Sequence, residues 1–356
     1  MDKTWWCQVT NASNFIKEAI EAVSENKNLV LELPSYLPWY DTMRGQIEEG
    51  LRKCPDRILA QVNDSNLEPG EMILNQLCKK ETRDEYRPSI GYAAFLANCE
   101  KTVLNDRFVW VTGITEDRCT LWLDFVSEYT KKLGNEKKGG IFILETKAES
   151  VVNNKKGIVV LNFDKKIESC DRLVFNMLAA SSVREKVQMK QYLAELVSSI
   201  VGNDIELSAQ CVSKKRYKQF LKNPYTVLKK VEQEECKSDG LPFVFSISEE
   251  EINRLVWKAQ IKTVFPIVEE YRERFISKHR NQIEEELPVS NSFGEEYVEP
   301  NEVEIGTLYY MTTHGMINLS YEEQKELYRF KEARNKLAHL MILDVEEIIS
   351  IFEDIG

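Results

Sequence analysis

Short apolar runs alternate with amphipathic helical stretches in the first 170 residues of this sequence. The runs are rich in β-branched and aromatic residues and are bounded by Gly, Asn, Asp or Pro, a pattern typical of buried strands. They lie at 29–33, 58–62, 108–112, 140–145 and 157–163, and the helical stretches at 14–25, 41–53, 90–104 and 120–133. Because parallel strands need long crossover connections, the alternation predicts an α/β fold with a mostly parallel sheet and flanking helices.

The second part of the chain is predicted to be helical, and its charge differs from that of the first. Residues 249–356 contain 12 Lys and Arg against 23 Asp and Glu, which accounts for the whole net charge of -11. The change follows the turn-forming segment SDGLP at 238–242. We therefore predict three parts: an α/β domain at 1–168, a helical extension at 169–240 and an all-α helical bundle at 249–356.

Capping signals place the helices of the bundle. Ser248 precedes three glutamates, and Ser320 with Glu323 forms a capping box, so a helix is expected to begin after each serine. Pro266 predicts a kink in the first of these helices. Residues 281–304 are acidic and punctuated by Pro, Gly and Ser, which indicates a long loop. Further helices are expected at about 303–317, 320–342 and 344–354.

Composition excludes several classes of protein. The chain of 356 residues has eight cysteines, and neighbouring cysteines are at least 20 residues apart, so a CxxC zinc or redox pair is absent. No apolar run approaches the roughly 18–20 residues of a membrane helix, and the N-terminus lacks the apolar core of a signal peptide. We therefore expect a cytoplasmic protein with reduced thiols, no membrane partner, no metal and no cofactor.

The segment after the first predicted strand bears on nucleotide binding. The alternation of strands and helices resembles the core of the P-loop NTPases, but PSYLPWYD stands where their Gly-rich phosphate loop would be. No glycine directly precedes a lysine anywhere in the chain, so GxxxxGK[ST] has no match. We expect no ATP hydrolysis and a docking, sensing or inhibitory role toward a protein partner. Glu145 and Asp164, at strand ends, are interpreted as helix caps or solvated acids, and the tryptophans as core.

One short motif near the C-terminus has chemical content. The chain reads EARNKLAHL at 332–340, with Arg334, Asn335 and His339 in an acidic helical context. This arrangement resembles the HEPN family, helical bundles whose R-x(4–6)-H motif serves metal-independent RNA cleavage in many members. HEPN proteins act as dimers that bring two motifs together and are frequent in bacterial toxins and antiviral defence systems. The resemblance covers residues 249–356 and implies a homodimer through the C-terminal helices.

The resemblance assigns a role to each residue of the motif. Histidine titrates near neutrality, so His339 would serve as the acid or base in cleavage of RNA by its own 2′-hydroxyl. Arg334 would stabilise the charge on phosphorus, and Asn335 would orient the imidazole or bind a phosphate oxygen. Arg329, Lys331 and Lys336 lie in the most basic stretch of the bundle and are the candidate RNA-binding residues.

Helical geometry leaves a second interpretation open. Arg334 and His339 are about 140° apart around a regular helix, with Arg334 on the apolar side. Arg334 would then be a buried arginine paired with a carboxylate, and only a helix break or a second protomer would join the two residues into one site. The alternative function is a non-enzymatic scaffold subunit that dimerises or binds a protein through its acidic helices. A nucleotide-binding regulator is a third, weaker possibility.

The other basic and histidine-containing segments have ordinary interpretations. His279 is expected at the surface and His314 in a turn at a helix end. The segment KKRYKQFLK at 214–222 interleaves bases with aromatic residues, which suits single-stranded nucleic acid and equally an amphipathic surface helix.

Overall fold

The five predicted strands are present and form one parallel sheet. The structure, a computed structural model, describes residues 1–99, 103–134, 138–147, 156–290 and 294–353. The strands are β1 Asn28–Leu33, β2 Ile58–Asn63, β3 Arg107–Thr112, β4 Ile141–Lys147 and β5 Ile158–Asn162. Each lies within two residues of its predicted bounds. The prediction of an α/β fold with a mostly parallel sheet is confirmed.

The strand order of the sheet is β2-β3-β4-β1-β5, so β1 and β4 lie in its interior. In the register, Leu31 of β1 pairs with Glu145 of β4 and with Leu161 of β5. All six side chains of β1 are buried, which explains its apolar run Leu29–Leu31. Its two polar residues have hydrogen-bond partners: Asn28 donates to the Thr130 hydroxyl, and Glu32 accepts from the Asn162 side chain. On one face, Val30, Val109 and Leu144 join a core that includes helix residues on that side.

The chain divides into two compact units, Met1–Asp171 and Arg172–Gly356. In the first unit the sheet is flanked by helices whose positions agree with the predicted stretches, although 90–104 yields only a short helix. They are α1 Asp2–Gln8, α2 Thr10–Ser24, α3 Tyr40–Leu51, α4 Pro69–Leu77, α5 Lys80–Glu85, α6 Tyr92–Asn98, α7 Glu116–Leu133 and α8 Phe163–Lys166. Helix α9, Ser169–Ser181, begins at the boundary.

The second unit is built from helices, as predicted. They are α10 Val187–Val201, α11 Ile205–Val212, α12 Tyr217–Lys222, α13 Pro224–Glu234, α14 Glu249–Thr263, α15 Phe265–Lys278, α16 Arg280–Glu285, α17 Ile305–Thr313, α18 Tyr321–Ala338 and α19 Val345–Glu353. One apolar core extends from Ala179 to Phe352, so the predicted helical extension and bundle pack as one body. The side chain of Gln260 donates to the hydroxyl of Tyr192 at 3.2 Å across these two parts.

Most of the predicted helix boundaries in the bundle are confirmed. Ser248 accepts a hydrogen bond from the amide of Glu251, and Ser320 with Glu323 forms the capping box of α18. The expected kink near Pro266 is present as a one-residue interruption: α14 ends at Thr263, Val264 keeps right-handed helical φ and ψ, and α15 begins at Phe265. The loop expected at 281–304 is wrong in part: α16 covers its start, and β6 Val289–Ser290 pairs with β7 Glu296–Tyr297.

The described residues contain no helix with both the length and the apolar character required to cross a bilayer.

Glu145 is a buried residue of β4, which corrects the expectation of a solvated acid at a strand end. Its carboxylate accepts hydrogen bonds from the Tyr40 hydroxyl at 2.8 and 3.0 Å and from the indole Nε1 of Trp110 at 2.8 Å. Trp110 is fully buried, as expected for a core residue, and the guanidinium of Arg44 lies 5.1 Å from its ring. Tyr40 on α3 and Trp110 on β3 therefore supply the hydrogen bonds that a buried carboxyl group requires, and the guanidinium of Arg44 in turn donates to the Tyr40 hydroxyl at 3.4 Å.

Burial raises the pKa of the Glu145 carboxyl above its ordinary value of about 4.5, against the opposing effects of the hydrogen bonds from Tyr40 and Trp110 and the charge of Arg44. A raised pKa means that the native state binds more protons than the unfolded state. The free energy of unfolding therefore decreases as the pH rises from about 4.5 through the folded-state pKa of Glu145.

Glu145→Gln is expected to remove this decrease, because the amide keeps an acceptor for Trp110 and carries no charge. Urea unfolding at a series of pH values between pH 4 and pH 8 measures the effect. The stability of the variant relative to the wild type should increase with pH. Glu25→Gln, a change at an exposed acid, is the control and should give no such trend. A difference in stability between variant and wild type that does not change with pH would contradict the assignment.

Candidate functional site at the end of helix α18

The sequence of α18 explains both its burial and its polar outer surface. Leu327, Phe330, Ala333 and Leu337 recur at helical spacing and are buried. The ring of Phe330 stacks on Tyr271 of α15, with centroids 3.8 Å apart and planes inclined by 2°. The helix is thereby fixed against the core, and the residues of the motif lie on its last turns.

Helix α18 ends immediately before His339, which is its C-cap residue. The amide of Leu340 donates to the carbonyl of Leu337 at 3.3 Å, and the amide of Met341 donates to the carbonyl of Lys336 at 2.9 Å. This pair of bonds is a Schellman motif, which normally has glycine in its left-handed position. Here Leu340 occupies that position with φ 61°.

Two side chains of α14 hold this end of α18. The indole Nε1 of Trp257 donates to the carbonyl of Leu337 at 2.8 Å. One helical turn further along, Gln260 donates to the carbonyl of Leu343 and accepts from the amide of Leu343, each at 2.8 Å. Gln260 is fully buried, so these bonds satisfy backbone groups that have no access to water.

The segment between these two anchors is apolar and exposed. Leu340, Met341 and Ile342 are 71%, 51% and 39% exposed. They line a surface groove of about 590 Å³ together with Trp257 and Arg254 of α14. We call Leu340, Met341 and Ile342 the apolar segment. A left-handed backbone conformation costs a leucine about 1 kcal/mol or more. Because the side chain of Leu340 is exposed within one protomer, its burial does not offset this cost.

Arg334 is half-buried and forms an ion pair. Its Nη2 lies 3.0 Å from Oε2 of Glu304, the residue that precedes α17. The two side chains are 30% and 56% exposed. The pairing of Arg334 with a carboxylate agrees with the second interpretation of the motif. The burial that this interpretation expects is incomplete, because 30% of the Arg334 side chain is exposed. An exposed pair of this kind contributes about 0–1 kcal/mol, so another anion can displace Glu304.

His339 is exposed on a different side of α18 from Arg334. Within the described parts of the chain, no hydrogen bond reaches the imidazole of His339 or the side-chain amide of Asn335. The C-cap residue still follows the course of the helix, so the angle of about 140° between Arg334 and His339 persists. One protomer therefore does not bring the two side chains to a single phosphate.

Two of the three candidate RNA-binding residues form ion pairs with carboxylates. Lys336 lies 2.6 Å from Glu347, and Lys331 lies 3.0 Å from Glu332. The Lys331 ammonium also lies 4.7 Å from the ring of Tyr309 and 5.2 Å from that of Tyr328. Arg329 is half-buried. Lys331 and Lys336 thus carry local carboxylate partners, within a part of the chain, 249–356, that holds 12 basic and 23 acidic residues.

The two other histidines and the basic segment at 214–222 lie at structural positions in the second unit. His279 is buried, against expectation, with its ring 4.6 Å from that of Phe275, and burial lowers its pKa. His314 is the C-cap residue of α17, as predicted. In the basic segment at 214–222, Tyr217 and Phe220 are buried, so α12 is an amphipathic helix whose aromatic side chains face the core.

No protein-family model matches the chain, and no curated protein sequence is significantly similar to it.

Sequence reasoning identified the motif but not the groups that surround it. Trp257 and the apolar segment were not singled out, although Leu340-Met341-Ile342 is a run of three apolar residues directly after the motif. Because the helix was expected to continue to residue 342, the sequence did not indicate that the apolar segment lies beyond a helix end. Glycine is the usual signal for such an end, and this chain has leucine there.

Leu340→Gly is expected to raise the free energy of unfolding by about 0.5–1 kcal/mol, because glycine adopts the left-handed conformation without strain and little buried surface is lost. Urea unfolding at low protein concentration measures it. Leu340→Ala is the matched control, since alanine removes the side chain but keeps a Cβ in the strained position. Equal stability of the Gly and Ala variants would contradict the assignment of strain at this residue.

Proposed function

We propose that the C-terminal unit is a metal-independent endoribonuclease whose site is completed by a second copy of the chain. His339 of one protomer acts as the acid or base, and Arg334 of the other stabilises the phosphate. The observation that carries the proposal is the joint exposure of His339 and the apolar segment at the end of α18. The resemblance of the motif to that of HEPN proteins favours a role for this activity in a prokaryotic defence or toxin system.

The chemistry needs only the groups that the motif contains. Cleavage by the 2′-hydroxyl forms a bond from that oxygen to phosphorus and breaks the bond to the 5′-oxygen of the next nucleotide. A base removes the 2′-proton, and an acid protonates the leaving oxygen. An exposed imidazole serves in either step near neutral pH, and a guanidinium stabilises the extra negative charge on phosphorus.

A second protomer resolves the divergence of Arg334 and His339. The apolar segment directly follows His339, so a two-fold contact through it brings the His339 side chains of both protomers to the interface. Burial of Leu340 against its counterpart would also offset the strain of its left-handed backbone. The exposed leucine in a position that favours glycine is thereby explained.

The acidic surroundings do not prevent binding of a phosphate. Glu304 and Glu332 are both exposed enough for their ion pairs to be weak. A phosphodiester that replaces Glu304 on Arg334 can form a bidentate contact with the guanidinium. The electrostatic contribution to RNA affinity is expected to be small, because few bases are available to release counterions.

A second candidate function is a non-enzymatic interaction subunit. The observation that favours it is the pairing of Arg334, Lys331 and Lys336 with carboxylates. In that case the apolar segment serves association alone, and the motif stabilises the bundle. The α/β unit would in both cases dock a protein partner.

Purified full-length protein is expected to cleave an end-labelled RNA in EDTA, and His339→Ala should slow cleavage by about 10²- to 10⁴-fold, because it removes the acid or base. The melting temperature should not change, since the side chain is exposed. His314→Ala, which changes an exposed histidine at the C-cap of α17, is the matched control and should retain activity.

A pair of variants separates catalysis from the ion pair. Arg334→Ala and Glu304→Ala both remove the contact between these residues. Only Arg334→Ala should lose cleavage, whereas Glu304→Ala should keep it or increase it because the guanidinium is released. Full cleavage by His339→Ala, or equal loss in the two ion-pair variants, would favour the interaction subunit.

A further inference from the structure

The outer surface of α18 carries a row of side chains that leads to His339. Tyr321, Tyr328, Asn335 and His339 are separated by seven, seven and four residues. At about 100° per residue they lie within about 40° of one another around the helix, and at about 1.5 Å per residue the row is about 27 Å long. We call these four residues the outer row.

The two tyrosines of the outer row are unusually accessible. Tyr321 is 76% exposed and Tyr328 is 46% exposed. The ring of Tyr328 lies 5.5 Å from that of Tyr309 on α17, with an interplanar angle of 50°. The tyrosines thus leave much of their side-chain surface in solvent instead of filling the core.

A cation lies beside the row at a fixed position. The Lys331 ammonium is within 5.2 Å of the rings of Tyr328 and Tyr309 and bonds to Glu332. Contacts with two rings limit the freedom of a side chain that is otherwise flexible. An ammonium beside exposed aromatic rings suits single-stranded nucleic acid, whose bases stack on rings and whose phosphates pair with cations.

We propose that unpaired nucleotides of single-stranded RNA bind along the outer row, with bases stacked on Tyr328 and Tyr321 and a phosphate at Lys331. The row directs the strand toward His339, which stands at its end. This inference rests on the proposed function, since it names the form of RNA that the site takes. Paired bases do not present free faces to a tyrosine ring, so duplex RNA is excluded as a ligand of the row.

Binding is tested in full-length protein carrying His339→Ala, so that cleavage does not consume the probe. The probe is a fluorescent oligouridylate, which is single-stranded, and its affinity is read by anisotropy. Tyr321→Ala and Tyr328→Ala should each weaken binding by about 5- to 150-fold, the range measured for loss of one stacked base. Tyr328→Phe should bind as the parent does, because phenylalanine keeps the ring face.

Two controls isolate the outer row. Tyr310→Ala removes a tyrosine of α17 with the same 46% exposure as Tyr328. Tyr310 lies about 100° around α17 from Tyr309, the residue next to Tyr328, so its removal should not change RNA binding. Oligouridylate annealed to oligoadenylate should bind at least about tenfold more weakly than the single strand.

The outcomes separate this inference from the nuclease proposal. Tyrosine-dependent binding without cleavage by the wild type supports the outer row and overturns the nuclease. Cleavage that is unaffected by Tyr321→Ala and Tyr328→Ala supports the nuclease and overturns the outer row. No binding of the single strand, or equal binding of single strand and duplex, overturns the inference and leaves the tyrosines as a protein-docking surface.

Discussion

The hydrogen bonds from Trp257 and Gln260 to the end of α18 determine the rest of the candidate site. They satisfy backbone groups of Leu337 and Leu343, so the helix stops at Ala338 and the chain between these anchors is held outside the core. As a result, His339 is exposed and the apolar segment projects into solvent. The motif is therefore accessible because of two side chains that lie nearly eighty residues before it in the sequence.

Local sequence signals predicted much of the fold. Five runs rich in β-branched and aromatic residues located the five strands of the described sheet. The inner strands are mostly apolar because they are buried on both faces, whereas the edge strands β2 and β5 are partly exposed. The N-cap Ser248, the capping box of Ser320 with Glu323, and Pro266 located helices α14, α15 and α18, since these features act within a few residues. The angle of about 140° between Arg334 and His339 also followed from helical geometry, since α18 runs through Arg334 to the residue before His339.

Contacts between distant residues could not be predicted in this way. The pairing of Arg334 with Glu304 depends on how α17 packs beside α18, and the burial of Glu145 depends on Tyr40 and Trp110 from two other elements. The left-handed Leu340 was hidden because its residue type argues against that conformation. Each of these features arises from tertiary structure that overrides a local preference.

The central claim, that one site takes Arg334 from one protomer and His339 from the other, is tested most directly by mixing two inactive variants. In an equimolar mixture of Arg334→Ala and His339→Ala proteins, half of the dimers are mixed, and each mixed dimer contains one intact site of two. RNA cleavage should therefore return to about a quarter of the wild-type rate. A mixture as inactive as its components, measured under conditions in which sedimentation shows that the protomers exchange, would contradict the account.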